Sequence, residues 1–420
     1  MEVDPAAGRP GRGRHLAEPA GLGPVFGALW FGQAVSQLGD FIAYLTIPLL
    51  VKTITESASA MGFAYALEQG PTLLFGLLGG VLIDRIRLRP AMIVADLARA
   101  AAFFYLAAAA EQPTPKIGVI FVVAFLVGSF SAFFTNSLYV LLKLVVPGPG
   151  LARANGLIAT SQQATFALGP LIAGIMFAQL GPAAGLRING ATYLVSAISL
   201  VLVGRVQRDA SEPMTSVTED AREGFRFLFA DSRLRLVTIA VALANLYIGF
   251  FESTYVIWAQ TVLMTTSPEQ IGLMVAASGL GGILGAIVAP NILKQIGLGR
   301  GVAIGLVGYG LGFVTAARFG FGVLGLLVFM VGYVGLGLTN VAVATIRQSF
   351  VPERLLGRVI TASRAIGWAT LPIGALIGPA LADNTAYESV ALVAPALLLI
   401  GGLMLIPTIV WRSTLGGQSG

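Results

Sequence analysis

Hydrophobic runs of membrane length, parted by short polar breaks, fill most of this chain. Twelve can be drawn, at about 24–51, 58–83, 90–110, 117–143, 154–180, 187–204, 234–263, 268–293, 301–318, 321–346, 357–382 and 388–411. Each is near or above the roughly 20 residues that a helix needs to cross a bilayer. The predicted fold class is therefore all-α and integral to the membrane, with twelve transmembrane helices. Residues 1–23, rich in Arg, Pro and Gly, read as a polar tail. The apolar segment after it is too long for a signal-peptide core and lacks a clear cleavage site, so it is expected to remain as the first span. The longest polar break lies in the middle, at 205–233. It opens as a linker, and then Glu219 to Phe229 mixes charges with Phe225, Phe227 and Phe229, the pattern of a short amphipathic helix on the inner leaflet. This divides the chain into a six-helix half at 24–204, a central linker, a second six-helix half at 234–411 and a short tail at 412–420.

The two halves repeat each other. Gly76, Gly80 and Arg89 at the foot of span 2 match Gly281, Gly285 and Lys294 at the foot of span 8 at an offset of 205. Thr135-Asn136 matches Thr339-Asn340 at 204, and Val146-Pro147 matches Val351-Pro352 at 205. Ser161, Ala167 and Pro170 match Ser363, Ala369 and Pro372 at 202. A near-constant offset at equivalent spans marks an internal duplication. Parallel six-helix repeats suit an alternating-access transporter with its site between the halves.

Composition sharpens this picture. The chain is 56% hydrophobic and 11% charged, with a mean hydropathy of +0.84. A soluble domain carries about 25% charged residues and could not cover its surface with so few. Of the 26 Lys and Arg, 20 fall in the tails and alternate breaks on the side of the N-terminus and 4 on the other side, with Arg99 and Arg364 within or near spans. That asymmetry predicts both termini in the cytoplasm, in a multi-pass protein of the inner (cytoplasmic) membrane. It also accounts for the net charge of +6 and the pI near 9.7 without nucleic acid as a partner. With no cysteine and only His15, in the tail, disulfides, thiol chemistry and Cys- or His-based metal sites are excluded. No nucleophile–base pair and no phosphate-binding loop of the Gly-Lys-Ser/Thr type is present, so neither an enzyme nor an ATPase is expected, and no cofactor or metal.

Specific residues carry a family resemblance. Gly80-x-x-x-Asp84-Arg85 ends span 2; Gly32-Gln33 and Ser36-x-x-Gly39-Asp40 lie in span 1; Gly169-Pro170 lies in span 5; and Glu223-Gly224-Phe225-Arg226-Phe227-Leu228 lies in the linker. On these the chain resembles the major facilitator superfamily over nearly its whole length, most of all its bacterial drug-efflux and siderophore-exporter branch. The loop pattern departs from the family's at Arg87, where a glycine is usual, and at Leu88; its second copy has Ala289-Pro290 in place of Asp84-Arg85. In span 5, Thr165 replaces an expected glycine. The resemblance implies the two-fold six-helix transporter fold. It also implies export of hydrophobic or amphiphilic small molecules, commonly in exchange for protons, and a gating role for Gly80, Asp84, Arg85 and Arg89. The alternative for the arginines is ordinary positive-inside placement.

An ionisable group at bilayer depth is costly and is by default a functional candidate. Asp40 lies midway along span 1, on one face with Gln33, Ser36 or Gln37, and Tyr44. Glu68 lies in span 2 beside Gln69, and Glu252 lies in span 7 with Asn245 and Gly249 on its face. These three are the candidates for proton coupling or substrate contact, and together they would favour cationic compounds; the alternative is a structural bond within one half. Asp96 and Arg99, three apart, read as a structural pair. Arg364 and Trp368 form a cation–π pair or line the cavity. Asn136 lines the path or ties helices together. Gly169, Pro170 and Pro372 are bend sites.

The function expected is secondary active export of small amphiphilic or hydrophobic compounds, of multidrug or macrolide type, by a monomer exchanging them for protons across a lipid bilayer. A dedicated natural-product or siderophore exporter, or a transporter of lipid-like molecules, is the alternative, and a non-transporting receptor or scaffold is a more distant one.

Overall fold

A computed structural model describes residues 22–146, 148, 150–204, 217–385 and 387–405; the side chains of residues 74, 76–85, 217–221 and 353 lie outside the described residues. The first half comprises α1 (Gly23–Thr55), α2 (Ala58–Arg85), α3 (Leu88–Ala110), α4 (Ile117–Val145), α5 (Gly150–Leu180) and α6 (Pro182–Val203). A short helix, α7 (Val217–Ala230), follows. The second half comprises α8 (Ser232–Thr261), α9 (Pro268–Ile296), α10 (Leu298–Phe319), α11 (Val323–Phe350) and α12 (Glu353–Asn384), then α13 (Tyr387–Val393) and α14 (Ala396–Leu403). Ten of these helices are long and apolar enough to span a membrane among the described residues. Helix α2, at 28 residues, falls within their range of lengths.

The last run, expected as one span over 388–411, is broken. Pro395 has no N–H to give and crowds the carbonyl one turn back, so the helix stops at Val393 and restarts at Ala396. The α13–α14 pair takes the place of a single twelfth helix as far as Leu405, and the rest of the run lies outside the described residues.

The duplication reappears as packing. In the first half α1 packs on α5 and α6, α2 on α4, and α3 on α4 and α6. In the second half α8 packs on α12 and α14, α9 on α11, and α10 on α11 and α14. Even single residues correspond. Trp30 Nε1 on α1 donates to Ser161 Oγ on α5 at 2.8 Å, and Thr238 on α8 meets the matching Ser363 on α12 at 3.3 Å.

Helix α7 does not simply rest on a lipid surface. It packs on the start of α12, burying Leu228. Glu223 pairs with Arg358 and reaches Arg354 at 3.6 Å. A Cβ on Gly224 would lie 2.5 Å from the carbonyl oxygen of Arg358, so the glycine is what allows this approach. Gly224→Val is expected to undock α7 and to make the linker more sensitive to limited proteolysis, with the transmembrane core unchanged.

Asp231 caps α8, its carboxylate accepting from the backbone N–H groups of Arg233 at 2.8 Å and Leu234 at 3.2 Å. Partial burial pushes its acidity one way, but the bonds from Arg233 and the backbone outweigh it and hold the carboxyl below its ordinary range. A lowered native value means that the cap stabilises the fold at neutral pH and is lost only as the pH falls through and below about 4. Asp231→Ala should therefore cost about 1 kcal/mol at pH 7, read as a lower Tm in detergent, and progressively less as the pH falls below about 4.

Candidate functional site

The two halves meet through α1 and α2 on one side and α8 and α12 on the other, and through α5 against α9. Their contacts gather at the end of the bundle away from α7. There Asp383, near the end of α12, accepts from Ser57 Oγ at 2.9 Å and from the N–H groups of Ala58 at 3.0 Å and Ser59 at 2.9 Å. A carboxylate of one half thus caps a helix of the other, where free N–H groups and the helix dipole favour negative charge. One turn further along α2, a Cβ on Gly62 would lie 2.0 Å from the carbonyl oxygen of Ala375, so α2 and α12 touch backbone to backbone.

Deeper in, aromatic rings close the interface. Tyr44 of α1 stacks on Tyr255 of α8 at 5.4 Å, and Tyr255 Oη donates to the Tyr44 carbonyl at 2.9 Å. Phe41 and Phe166 complete the cluster, 5.1 Å apart. Toward α7, polar residues of α5, Thr160, Gln162 and Gln163, are exposed, as are Thr361, Arg364 and Trp368 of α12. Among the described residues the hydrogen bonds that join the halves lie at the far end and beside the cavity.

Between these regions lies a cavity of about 210 Å³. It brings together all three carboxylates singled out in the sequence: Asp40 from α1, Glu68 from α2 and Glu252 from α8. Gln69 and Tyr44 line it too, with Tyr65, Ser131, Asn189 and Tyr193. Two of the acids come from the first half and one from the second, so relative movement of the halves changes their spacing. Asp40 accepts a hydrogen bond from Tyr193 Oη on α6. Asn189 is wholly buried, and its Nδ2 has no partner among the described residues, which leaves a donor at the cavity wall. Its Oδ1 accepts from Thr192 at 3.2 Å.

The remaining candidates fall into place around the cavity. Asp96 and Arg99 do pair, and both are buried behind the wall rather than in it. Gln33 donates to Ser196 Oγ at 3.2 Å, joining α1 to α6. Gln37 is near them, with its Oε1 buried and unpartnered among the described residues. Asn136 ties α4 to α2 through the Phe75 carbonyl at 3.3 Å. Arg364 lies over the Trp368 ring at 5.9 Å on the open side of α12. Arg89 docks within its own half, donating to the carbonyls of Leu200 at 2.6 Å and Val201 at 2.7 Å at the end of α6, where a cation suits the helix terminus. The side chains of Gly80, Asp84 and Arg85 lie outside the described residues. Helices α5 and α12 run unbroken through Pro170 and Pro372, and Gly169 packs against Phe41.

Sequence reasoning missed Asn189 and Tyr193. The signal was there: Asn189, Tyr193 and Ser196 recur at helical spacing on one face of α6, and that face packs on α1.

Comparison with known proteins agrees with this architecture. The chain is similar to the enterobactin exporter EntS of Shigella flexneri, 26% identical over 401 residues that span 91% of each chain. It matches the enterobactin exporter EntS of Escherichia coli O127:H6 at 26% over 407 residues, again 91% of both. Among solved structures it shares its fold with the nucleoside transporter NupG, at 12% identity and a TM-score of 0.75 over 93% of this chain and 100% of that one. It also shares it with a bacterial homologue of the iron transporter ferroportin in an inward-facing state, at 18% identity and a TM-score of 0.68 over 92% and 98%. The family description Major Facilitator Superfamily matches residues 29–362. A twelve-span bundle of two packed repeats, with its polar cavity at their junction, is thus a membrane transporter and not an enzyme, and the chain belongs to the major facilitator superfamily.

Proposed function

We propose that this transporter exports small amphiphilic organic compounds, cationic ones above all, by alternating access and in exchange for protons. One observation carries the reading: three carboxylates from α1, α2 and α8 line a single cavity at the junction of the halves. Ionisable groups in such a place bind ions or move protons. With the linker end in the cytoplasm, as the distribution of Lys and Arg favours, the conformation described is read as inward-open. Cytoplasmic substrate then reaches an anionic cavity through the mouth between α5 and α12. After the halves rock, protons from the outer side neutralise the acids and release the cation. The cavity is smaller than the about 300–1,000 Å³ of usual ligand sites, so a drug-sized substrate also occupies the mouth beside Gln162, Gln163, Arg364 and Trp368. Gly80, Asp84, Arg85 and Arg89 are assigned to the gate at the linker end, which closes as the far end opens. One chain supplies both walls of the cavity, so a monomer suffices.

The test is uptake into inverted membrane vesicles under an imposed pH gradient, with a cationic dye as substrate and an iron-chelating siderophore as competitor. Dye uptake that collapses with the gradient and resists the siderophore supports this reading. Siderophore uptake without dye uptake supports the second reading, a dedicated siderophore exporter, which is favoured by the exporter relatives aligned along 91% of the chain. Absence of any flux overturns both and favours a receptor.

A further inference from the structure

We infer that Tyr193 and Arg99 are positioning residues for Asp40, linking this cavity carboxylate to a second, buried acid, Asp96. The inference rests on the reading of Asp40 as a working cavity group. Tyr193 of α6 is 1% exposed and directs its hydroxyl at Asp40, to which it donates. The Arg99 guanidinium lies against the face of the Tyr193 ring at 4.2 Å and against Phe134 at 4.5 Å. A cation held between two rings has little freedom to turn. Arg99 is tethered further by Asp96, one turn earlier on α3, and by Ser131 Oγ on α4 at 3.3 Å. The chain of contacts therefore runs Asp96, Arg99, Tyr193, Asp40 and crosses α3, α6 and α1.

Two features separate this cluster from a plain structural ion pair. A pair that serves packing alone closes its hydrogen bonds, because an open buried valence is costly. Here Nε of Arg99 is buried without a partner among the described residues, while Asp96 bonds Arg99 and is approached by the Ser196 hydroxyl. The cluster also ends at a cavity group rather than in the packed core. Glu68 and Glu252, by contrast, have no described cation beside them. Around Asp40 stand Tyr44 on its own helix, Glu68 and Tyr65 of α2, Glu252 of α8, Tyr193 of α6, and Asp96 with Arg99 of α3. Arg99 is the sole cation of that set. Its position behind the Tyr193 ring lets it act on Asp40 without entering the substrate's path.

Tyr193→Phe tests this with little change in packing, since the ring that holds Arg99 remains. A hydrogen bond to a charged group is worth enough that its loss should move the pH profile of gradient-driven dye uptake by about one unit to the alkaline side and slow uptake at pH 7 about tenfold. Protein yield should hold, and Tm should fall by no more than about 2–4 °C. Made together with Asp40→Asn, Tyr193→Phe should add nothing further, as expected of two residues that act as one unit. Arg99→Lys should keep part of the activity, and Arg99→Gln should shift the profile in the same direction as Tyr193→Phe. An unmoved profile in Tyr193→Phe, or a full effect of Tyr193→Phe on top of Asp40→Asn, overturns the proposal. Unchanged gradient-driven uptake in Asp40→Asn alone would instead overturn the role of Asp40, and the relay with it.

Discussion

Neutralising the cavity glutamates that the two halves contribute should uncouple transport from the proton gradient. Glu68→Gln and Glu252→Gln keep size and shape but cannot ionise. Coupling between two ligands of one protein is commonly worth about 5- to 150-fold, and loss of the proton partner should reduce gradient-driven uptake within that range. Glu252 deserves the larger effect, because it is the acid that the second half contributes to the cavity. It therefore reports directly on the approach of the halves. In both variants, downhill movement of substrate without a gradient should persist, since the cavity walls remain. The measurement is dye flux with and without a pH gradient in the same vesicles. Equal loss in both conditions would mark the glutamates as structural.

The second large effect belongs to Asp383. Its carboxylate accepts three hydrogen bonds from the start of α2, across the junction of the halves. Bonds to a charged acceptor contribute about 1.5–3 kcal/mol at most, and solvent screens these because Asp383 is exposed, so Asp383→Ala should shift the equilibrium between the two conformations by about 1–2 kcal/mol toward the state that opens at the far end. The native chain holds no cysteine, which makes the check direct. Val51 is fully buried and lines the cavity on the far side of Asp40. In a Val51→Cys background, labelling by a membrane-impermeant thiol reagent from the far face should be slow. Asp383→Ala should accelerate it, and Asp383→Asn, which keeps an acceptor, should lie between. Equal labelling in all three would show that the far gate is held by packing at Gly62 and the aromatic cluster instead.

The membrane fold was legible because lipid imposes a length on every apolar run, and the duplication was legible because equivalent glycines, prolines and serines kept their spacing. Ser161 and Ser363, matched by offset alone, turn out to bond the first helix of their respective halves. The break at Pro395 was visible as a proline but masked by an otherwise continuous apolar run. The docking of α7 was not legible at all, since Glu223 and Arg358 are 135 residues apart. The site divides in the same way. Asp40, Glu68 and Glu252 stood out because a charge inside an apolar run is costly and none of the three has an opposite charge one helical turn away. Tyr193 and Asn189 did not, because an aromatic or amide group in a span reads as packing until its partner is known. Asp383 gave no signal in the sequence, since its partners lie more than 300 residues upstream.

The central claim is that one acidic cavity moves substrate and protons in opposite directions. Purified protein in liposomes, with a pH-sensitive dye in the lumen and no imposed gradient, tests it most directly. Addition of a cationic substrate on one side should drive protons out of the lumen as the substrate enters. The signal should vanish in Asp40→Asn/Glu68→Gln/Glu252→Gln. Substrate entry by the wild-type protein with no movement of protons would contradict the account.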